Sequence, residues 1–167
     1  LRRHTPDPVA HERINAVTRE LDDTIRKLRD TIYSLRTGEE EREPLTGRIL
    51  RVVRENSRSY AVTPKVALDG PVDSVPEEVA VHLLSVVSEA LSNALRHSGG
   101  DEIQVEVTVG HDQVQLLLSD NGRGFTEPAE VSGLANMRYR AGLLGGSCVI
   151  ESAPGKGTAV QWSARLS

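Results

Sequence analysis

The stretch EALSNALRH, residues 89–97, decides the fold prediction because at helical spacing it has two chemically different faces. One face carries Leu91, Ala94 and Leu95 and is expected to pack into a core. The other face joins a carboxylate, an amide, a guanidinium and an imidazole, on Glu89, Asn93, Arg96 and His97. An amide oxygen can bind Mg²⁺ and a guanidinium can neutralise phosphate, although an ordinary polar helix face fits this stretch equally well.

Apolar spacing on both sides of this stretch predicts a mixed α/β domain. A helix opens at Pro76 and runs to about His97, and two more helices are predicted over Thr46–Arg58 and Leu134–Leu144. Alternating apolar residues predict five strands, namely Lys65–Leu68, Ile103–Val109, Val114–Leu118, Cys148–Ser152 and Thr158–Arg165. The sum predicts helices that cover one face of a mixed sheet, a two-layer α/β sandwich.

A separate long helix is predicted over residues 7–36. Apolar residues recur every seven positions with a second apolar stripe beside them, at Ile14, Val17, Leu21, Ile25, Leu28, Ile32 and Leu35. Two stripes favour burial in a multi-helix bundle. We therefore expect a bundle helix within residues 1–38, a solvated acidic linker over 39–44 and a globular domain over 45–167.

Three further segments combine glycine with polar residues. SDNGRGF, residues 119–125, directly follows a predicted strand, SGLANMR over 132–138 places a glycine at a helix start, and GKGT over 155–158 precedes the last strand. Each of these is often only a turn, and Asn-Gly is the commonest hairpin dipeptide. A polar loop over 126–132 follows the first of them, which argues against a simple hairpin there.

Charge and hydropathy exclude some classes of protein. The 167 residues carry 20 Lys and Arg against 24 Asp and Glu, so the net charge of -4 gives no support to nucleic-acid binding. No apolar run is long enough for a membrane span and no signal peptide is visible, which predicts a cytoplasmic location without membrane contact. The chain begins with Leu1 and is expected to be a piece of a longer protein.

Together, the four segments resemble the ATPase domain shared by histidine kinases, gyrase, the Hsp90 chaperones and MutL, the GHKL superfamily with the Bergerat ATP-binding fold. Residues 89–97 resemble its asparagine box, and 120–124, 133–134 and 155–158 resemble its glycine boxes. The first box and residues 133–146 are most similar to the NarX/DesK-like class of sensor histidine kinases. Residues 20–36 resemble that class's second dimerisation helix, and the nearest resemblance suggested is to actinobacterial oxygen- and redox-sensing kinases.

This resemblance implies that the chain binds ATP and Mg²⁺. It implies that Asn93 ligates the metal and that Glu89 orients, or accepts a proton from, an incoming histidine. Arg96 would contact phosphate, with His97 nearby. Asp120 would bind the adenine amino group, an interaction that discriminates adenine from guanine.

The resemblance also assigns the glycines and their neighbours. Gly122 and Gly124 would let the backbone close on the base. Gly133 and Leu134 would flank the phosphates at a helix start, and Thr158 would support the adenine pocket. Phosphoryl transfer depends mostly on positioning and charge neutralisation, which these residue types provide.

Two departures qualify the resemblance. Ser132 stands where many relatives have glycine, after a very short predicted lid over 125–132. The class's phosphoacceptor pattern His-Asp-x-x-x-Gln is absent, so we expect this chain to bind ATP without phosphorylating itself.

The implied partners are a response regulator and a second copy through the helical bundle. An anti-sigma-type serine kinase and a regulatory dimerisation module with weak or no nucleotide binding remain alternatives.

Overall fold

The computed structural model of the protein describes residues 43–126 and 132–166. The helix predicted over 7–36, the domain predicted over 1–38 and most of the linker predicted over 39–44 lie outside these residues. They therefore stay predictions.

Five strands form one mixed sheet, in the order β1-β2-β3-β5-β4. β1 runs parallel to β2, and every other neighbouring pair is antiparallel. The strands are β1 (Lys65–Asp69), β2 (Ile103–Val109), β3 (Gln113–Asp120), β4 (Cys148–Ser152) and β5 (Thr158–Arg165). All five strands predicted from the sequence are confirmed, with small differences at their ends.

Three α-helices accompany the sheet in the described part of the chain, α1 (Leu45–Ser57), α2 (Glu77–Asn93) and α3 (Ser132–Leu143). The first two helices begin directly after a proline, Pro44 or Pro76. The carbonyl of the residue before a helix accepts the first intrahelical hydrogen bond. Arg48 N–H donates to the Pro44 carbonyl at 3.1 Å, and Ala80 N–H donates to the Pro76 carbonyl at 2.9 Å. None of the described helices has the length and apolarity to cross a membrane.

The core lies between the helices and one face of the sheet. Along β2 the side chains alternate strictly between buried and exposed, so its four apolar residues face inward and its polar residues face outward. Trp162 of β5 is 1% exposed and packs in the same core as Ile49 of α1 and Leu83 of α2. The predicted two-layer α/β sandwich is thereby confirmed.

An ion pair joins α1 to the first turn of α2. Arg48 is 6% exposed, and its two terminal nitrogens bind both carboxylate oxygens of Glu77, at 2.6 and 2.8 Å. Bidentate geometry fixes both distance and orientation. The pair therefore adds an oriented contact between α1 and the start of α2, the helix that carries Glu89 and Asn93.

Candidate functional site

A cavity of about 380 Å³ opens between the end of α2 and the strands β3 and β5. Apolar side chains from these elements, from α3 and from the loop after β3 form one wall of the cavity. They are Ala90, Ala94, Leu118, Phe125, Leu134 and Val160. The polar residues that line it are Asn93, His97, Ser98, Asp120, Arg123 and Thr158. An apolar pocket of this size with a few convergent polar groups is typical of a small-molecule site.

Asp120 is the polar residue on the β3 side of the cavity. It ends β3, directly across from Thr158 at the start of β5. Its Oδ1 accepts a hydrogen bond from Gly122 N–H at 2.9 Å, and Thr158 N–H also bonds to the carboxylate. Burial raises the pKa of Asp120 above its usual value, and these two backbone hydrogen bonds oppose that shift. The result is a fixed carboxylate that can accept a hydrogen bond from a ligand.

The end of α2 supplies the other polar wall, and here the structure differs from the prediction of a regular helix to His97. Beyond Asn93 the chain makes a π-helical turn over Ala94–Ser98. A π turn is wider than an α turn, so it changes which side chains share a face. Asn93 and His97 both line the cavity, whereas Arg96 is exposed and is not among the described lining residues.

Backbone and side-chain hydrogen bonds tie the loop after β3 to the segment after the π turn. Asn121 Oδ1 accepts from the N–H groups of Asp101 and Glu102 at 3.1 and 3.0 Å, and its Nδ2 donates to Asp101 Oδ1 at 2.8 Å. Arg123 N–H donates to the Ser98 carbonyl at 2.8 Å. The Asp120 side and the Asn93 side of the cavity are thus held as one unit.

Two glycines allow close contacts within this unit. A Cβ on Gly122 would lie 2.6 Å from the carbonyl carbon of Ser98, a separation that real Cβ atoms do not reach. Gly124 has a positive φ of 59°, and a Cβ there would collide with the Ala153 carbonyl. Gly124 lines the cavity, whereas Gly122 contacts Ser98 and is not among the described lining residues. The predicted closure of these glycines on a base stays a prediction.

Glu89 lies one helical turn before Asn93 and is half-buried. It contacts the start of α3, where a Cβ on Gly133 would overlap the Glu89 carboxylate. Neither residue is among the described residues that line the cavity, although the next residue, Leu134, does line it. Residues 127–131 of the predicted lid lie outside the described residues.

The structure therefore brings six of the ten predicted site residues into one cavity wall, namely Asn93, His97, Asp120, Gly124, Leu134 and Thr158. Sequence reasoning did not select Ser98, Arg123 or Phe125, which also line it. Arg123 and Phe125 belong to the glycine segment over 119–125, so that motif was the available signal. The roles assigned to all ten residues stay predictions.

The fold and the site together define a class of protein. Residues 78–167 match the sequence model of the family described as histidine kinase-, DNA gyrase B-, and HSP90-like ATPase. The chain belongs to this family, and the resemblance drawn from the four sequence segments is confirmed.

Two relatives that match are named as sensor proteins. The nitrate/nitrite sensor protein NarX of Escherichia coli is 34% identical over 155 residues, which are 90% of this chain and 26% of NarX. The sensor protein VraS of Staphylococcus aureus is 42% identical over 95 residues, which are 55% of this chain and 27% of VraS. This chain therefore spans about a quarter of the length of either relative.

Solved structures agree with this assignment. The histidine kinase domain of a blue-light activated histidine kinase from Erythrobacter litoralis has a TM-score of 0.62 and 26% identity, over 74% of this chain and 65% of that one. These matches favour the histidine-kinase interpretation over the serine-kinase and regulatory-module alternatives. The narrower resemblance to actinobacterial oxygen- and redox-sensing kinases stays a prediction.

Proposed function

We propose that this chain is the ATP-binding catalytic part of a two-component sensor histidine kinase. In this proposal it transfers the γ-phosphoryl group of ATP to a histidine on a dimerisation helix, from which the group passes to a response regulator. The observation that carries the proposal is the Asp120 carboxylate, which two backbone N–H groups fix at the wall of an apolar cavity of about 380 Å³.

The β3–β5 side of the cavity suits the adenine base. Leu118, Phe125 and Val160 offer apolar surface to a flat ring, and Asp120 offers an acceptor for its exocyclic amino group. A site built to hydrogen-bond one polar group strongly rejects analogues that lack it, because its own buried group is then left without a partner. Guanine has a carbonyl oxygen where adenine has that amino group, so the cavity would prefer ATP to GTP.

The α2 side suits the phosphates. Asn93 presents an amide in the cavity lining, and an amide oxygen is a suitable ligand for Mg²⁺, which takes its other ligands from water and phosphate. Bound there, Mg²⁺ would neutralise charge on the phosphates during transfer. His97 lines the same side, and the exposed Arg96 lies in the same π turn, where its guanidinium would contact phosphate.

Glu89 supports the transfer step. The imidazole nitrogen of the acceptor histidine would attack the γ-phosphorus while the bond to the β–γ bridging oxygen breaks and ADP leaves. The proton of that imidazole would pass to the Glu89 carboxylate, which lies one helical turn before Asn93. Contact with Gly133 limits the positions open to this carboxylate.

The wider setting also belongs to the proposal. The matched relatives are named as sensor proteins, and a sensor kinase of this type passes its phosphoryl group to a response regulator. We place dimerisation in the helix predicted over 7–36 and the catalytic domain in the cytoplasm.

Calorimetric titration with ATP, GTP and Mg²⁺ tests the proposal on the 167-residue chain. We expect saturable ATP binding, with GTP at least about tenfold weaker. Asp120→Ala should weaken ATP binding by about 10–100-fold, the range for a hydrogen bond to a charged group. Asp112→Ala, an exposed aspartate in the β2–β3 turn, is the matched control and should bind like the wild type. Absence of binding at millimolar ATP, or an Asp120→Ala variant that binds normally, would refute the proposal and favour the regulatory-module alternative.

A further inference from the structure

The hydroxyl of Ser152 joins three segments around the cavity. Ser152 ends β4 and pairs with Thr158 across the hairpin to β5. Its Oγ accepts a hydrogen bond from Phe125 N–H at 3.0 Å, donates to the Gly157 carbonyl at 2.9 Å and lies 3.0 Å from Thr158 Oγ1. Ser152 itself is not among the described residues that line the cavity.

These three contacts determine which hydroxyl donates to which. A hydroxyl has one proton to donate and two lone pairs that accept. The Phe125 N–H can only donate and the Gly157 carbonyl can only accept, so Ser152 uses its single proton on Gly157. The proton between the two hydroxyls must therefore come from Thr158.

This direction leaves the Thr158 oxygen as an acceptor toward the cavity. Thr158 lines the cavity, and its own N–H bonds to the Asp120 carboxylate. Thr158 and Asp120 thus present acceptors side by side, with the only hydroxyl proton of Thr158 directed at Ser152. A ligand amino group satisfies two acceptors, whereas a carbonyl oxygen in the same place finds no proton.

We propose that Ser152 is a positioning residue that holds the Thr158 hydroxyl as an acceptor and so sets the preference of the cavity for a 6-amino over a 6-oxo purine. This inference rests on the proposed function, in which the cavity holds the base of ATP. Ser152 acts through Thr158 and makes no contact of its own with the nucleotide.

The test compares ATP with inosine triphosphate, whose base carries an oxygen in place of the 6-amino group. Affinities for both are measured by titration with Mg²⁺ for the wild type, Ser152→Ala, Ser152→Cys and Ser152→Thr. Without the Ser152 oxygen, the Thr158 hydroxyl is free to rotate and donate to the 6-oxo group. We expect the ratio of the two affinities to fall about fivefold or more in the Ala variant, the effect of one hydrogen bond.

The other variants separate positioning from structural support. The thiol of Ser152→Cys is a weak hydrogen-bonding group of similar size, so it should lower the ratio even if the Ala variant does not fold. Ser152→Thr should keep the wild-type ratio. Ser163→Ala, which removes a serine hydroxyl from the outer face of β5 where it contacts Ser147, is the matched control and should also keep it.

A final comparison tests the route through Thr158. In a Thr158→Val background, replacing Ser152 should leave the ratio unchanged, because the hydroxyl it orients is gone. An equal loss of affinity for both nucleotides in Ser152→Ala would show a merely structural role and overturn the inference, as would an unchanged ratio. A wild type that binds ATP but does not prefer it would overturn the inference and the contact of Asp120 with the amino group, while ATP binding itself would stand. A wild type that binds neither nucleotide would overturn the proposed function as well.

Discussion

Replacing Gly122 by alanine tests whether the loop after β3 must touch the end of the α2 segment. The added Cβ would lie 2.6 Å from the carbonyl carbon of Ser98, and it would meet the Ser98 carbonyl oxygen still more closely. These are backbone atoms of the π turn, so no side-chain rotation can relieve the overlap. The loop and the turn must move apart, which also stretches the 2.8 Å hydrogen bond from Arg123 N–H to the Ser98 carbonyl.

The cost of this change can be estimated from its two parts. Overpacking a close contact costs about 1–3 kcal/mol, and a weakened backbone hydrogen bond costs about 1 kcal/mol more. The free energy of unfolding should therefore fall by about 2–4 kcal/mol. For a domain of this size such a loss lowers the melting temperature by roughly 6–15 °C.

Gly110→Ala provides a matched control in the same sheet. Gly110 lies in the β2–β3 turn, and the nearest atom to an added Cβ there is the Gln113 carbonyl oxygen, 3.6 Å away, an ordinary contact. Thermal unfolding followed by circular dichroism should show the large loss for Gly122→Ala and a change of less than about 0.5 kcal/mol for Gly110→Ala. We also expect Gly122→Ala to weaken ATP binding, because Asn93 and Asp120 would separate. Equal melting of the two variants would refute the close-contact argument.

Three further substitutions test the site. Burial raises the pKa of Asp120 in the folded state. An acid whose folded pKa is raised contributes stability at low pH, and this contribution is lost as the pH rises through the folded pKa. Asp120→Asn should thus resist urea better than the wild type at neutral pH while losing ATP affinity, and urea titrations should show the gain shrinking toward about pH 4; a gain that grows with acid would contradict this. Asn121→Asp places a carboxylate oxygen where Nδ2 now donates to Asp101 Oδ1 at 2.8 Å, so a loss of about 1–2 kcal/mol is expected in thermal unfolding, and an unchanged melting temperature would count against a stabilising role of this hydrogen bond. Gly133→Ala should displace the Glu89 carboxylate at little cost in stability; phosphotransfer to a separately supplied acceptor helix, measured at saturating ATP, should fall about tenfold or more, and normal transfer would argue against a role for that contact.

The elements and six of the thirteen described cavity residues could be predicted because local pattern determines them. Strict alternation identified β2, and the apolar residues of 76–97 identified α2. The glycine segment over 119–125 placed Asp120 at a strand end, where the structure has it. Residues whose position depends only on their own helix or strand therefore lie where the sequence predicts them.

The remaining details depend on contacts between distant segments. The π turn ends at Ser98, whose carbonyl accepts a hydrogen bond from Arg123 N–H. Because Arg123 lies in a distant segment, the apolar periodicity of the helix gives no information about this contact. Arg96, which belongs to this turn, is not among the described residues that line the cavity. In the same way, the closeness of Glu89 to Gly133 and the three bonds of Ser152 follow from tertiary packing.

The central claim is that ATP binds in the cavity with its base against Asp120. Backbone amide resonances of the isotope-labelled chain, followed by NMR during titration with ATP and Mg²⁺, test that location directly. We predict that Gly122, Gly124 and Thr158 shift in a saturable way, while Glu106 and Gln161 on the outer face of the sheet stay unchanged. Shifts confined to the outer face, or none around Asp120, would contradict the account.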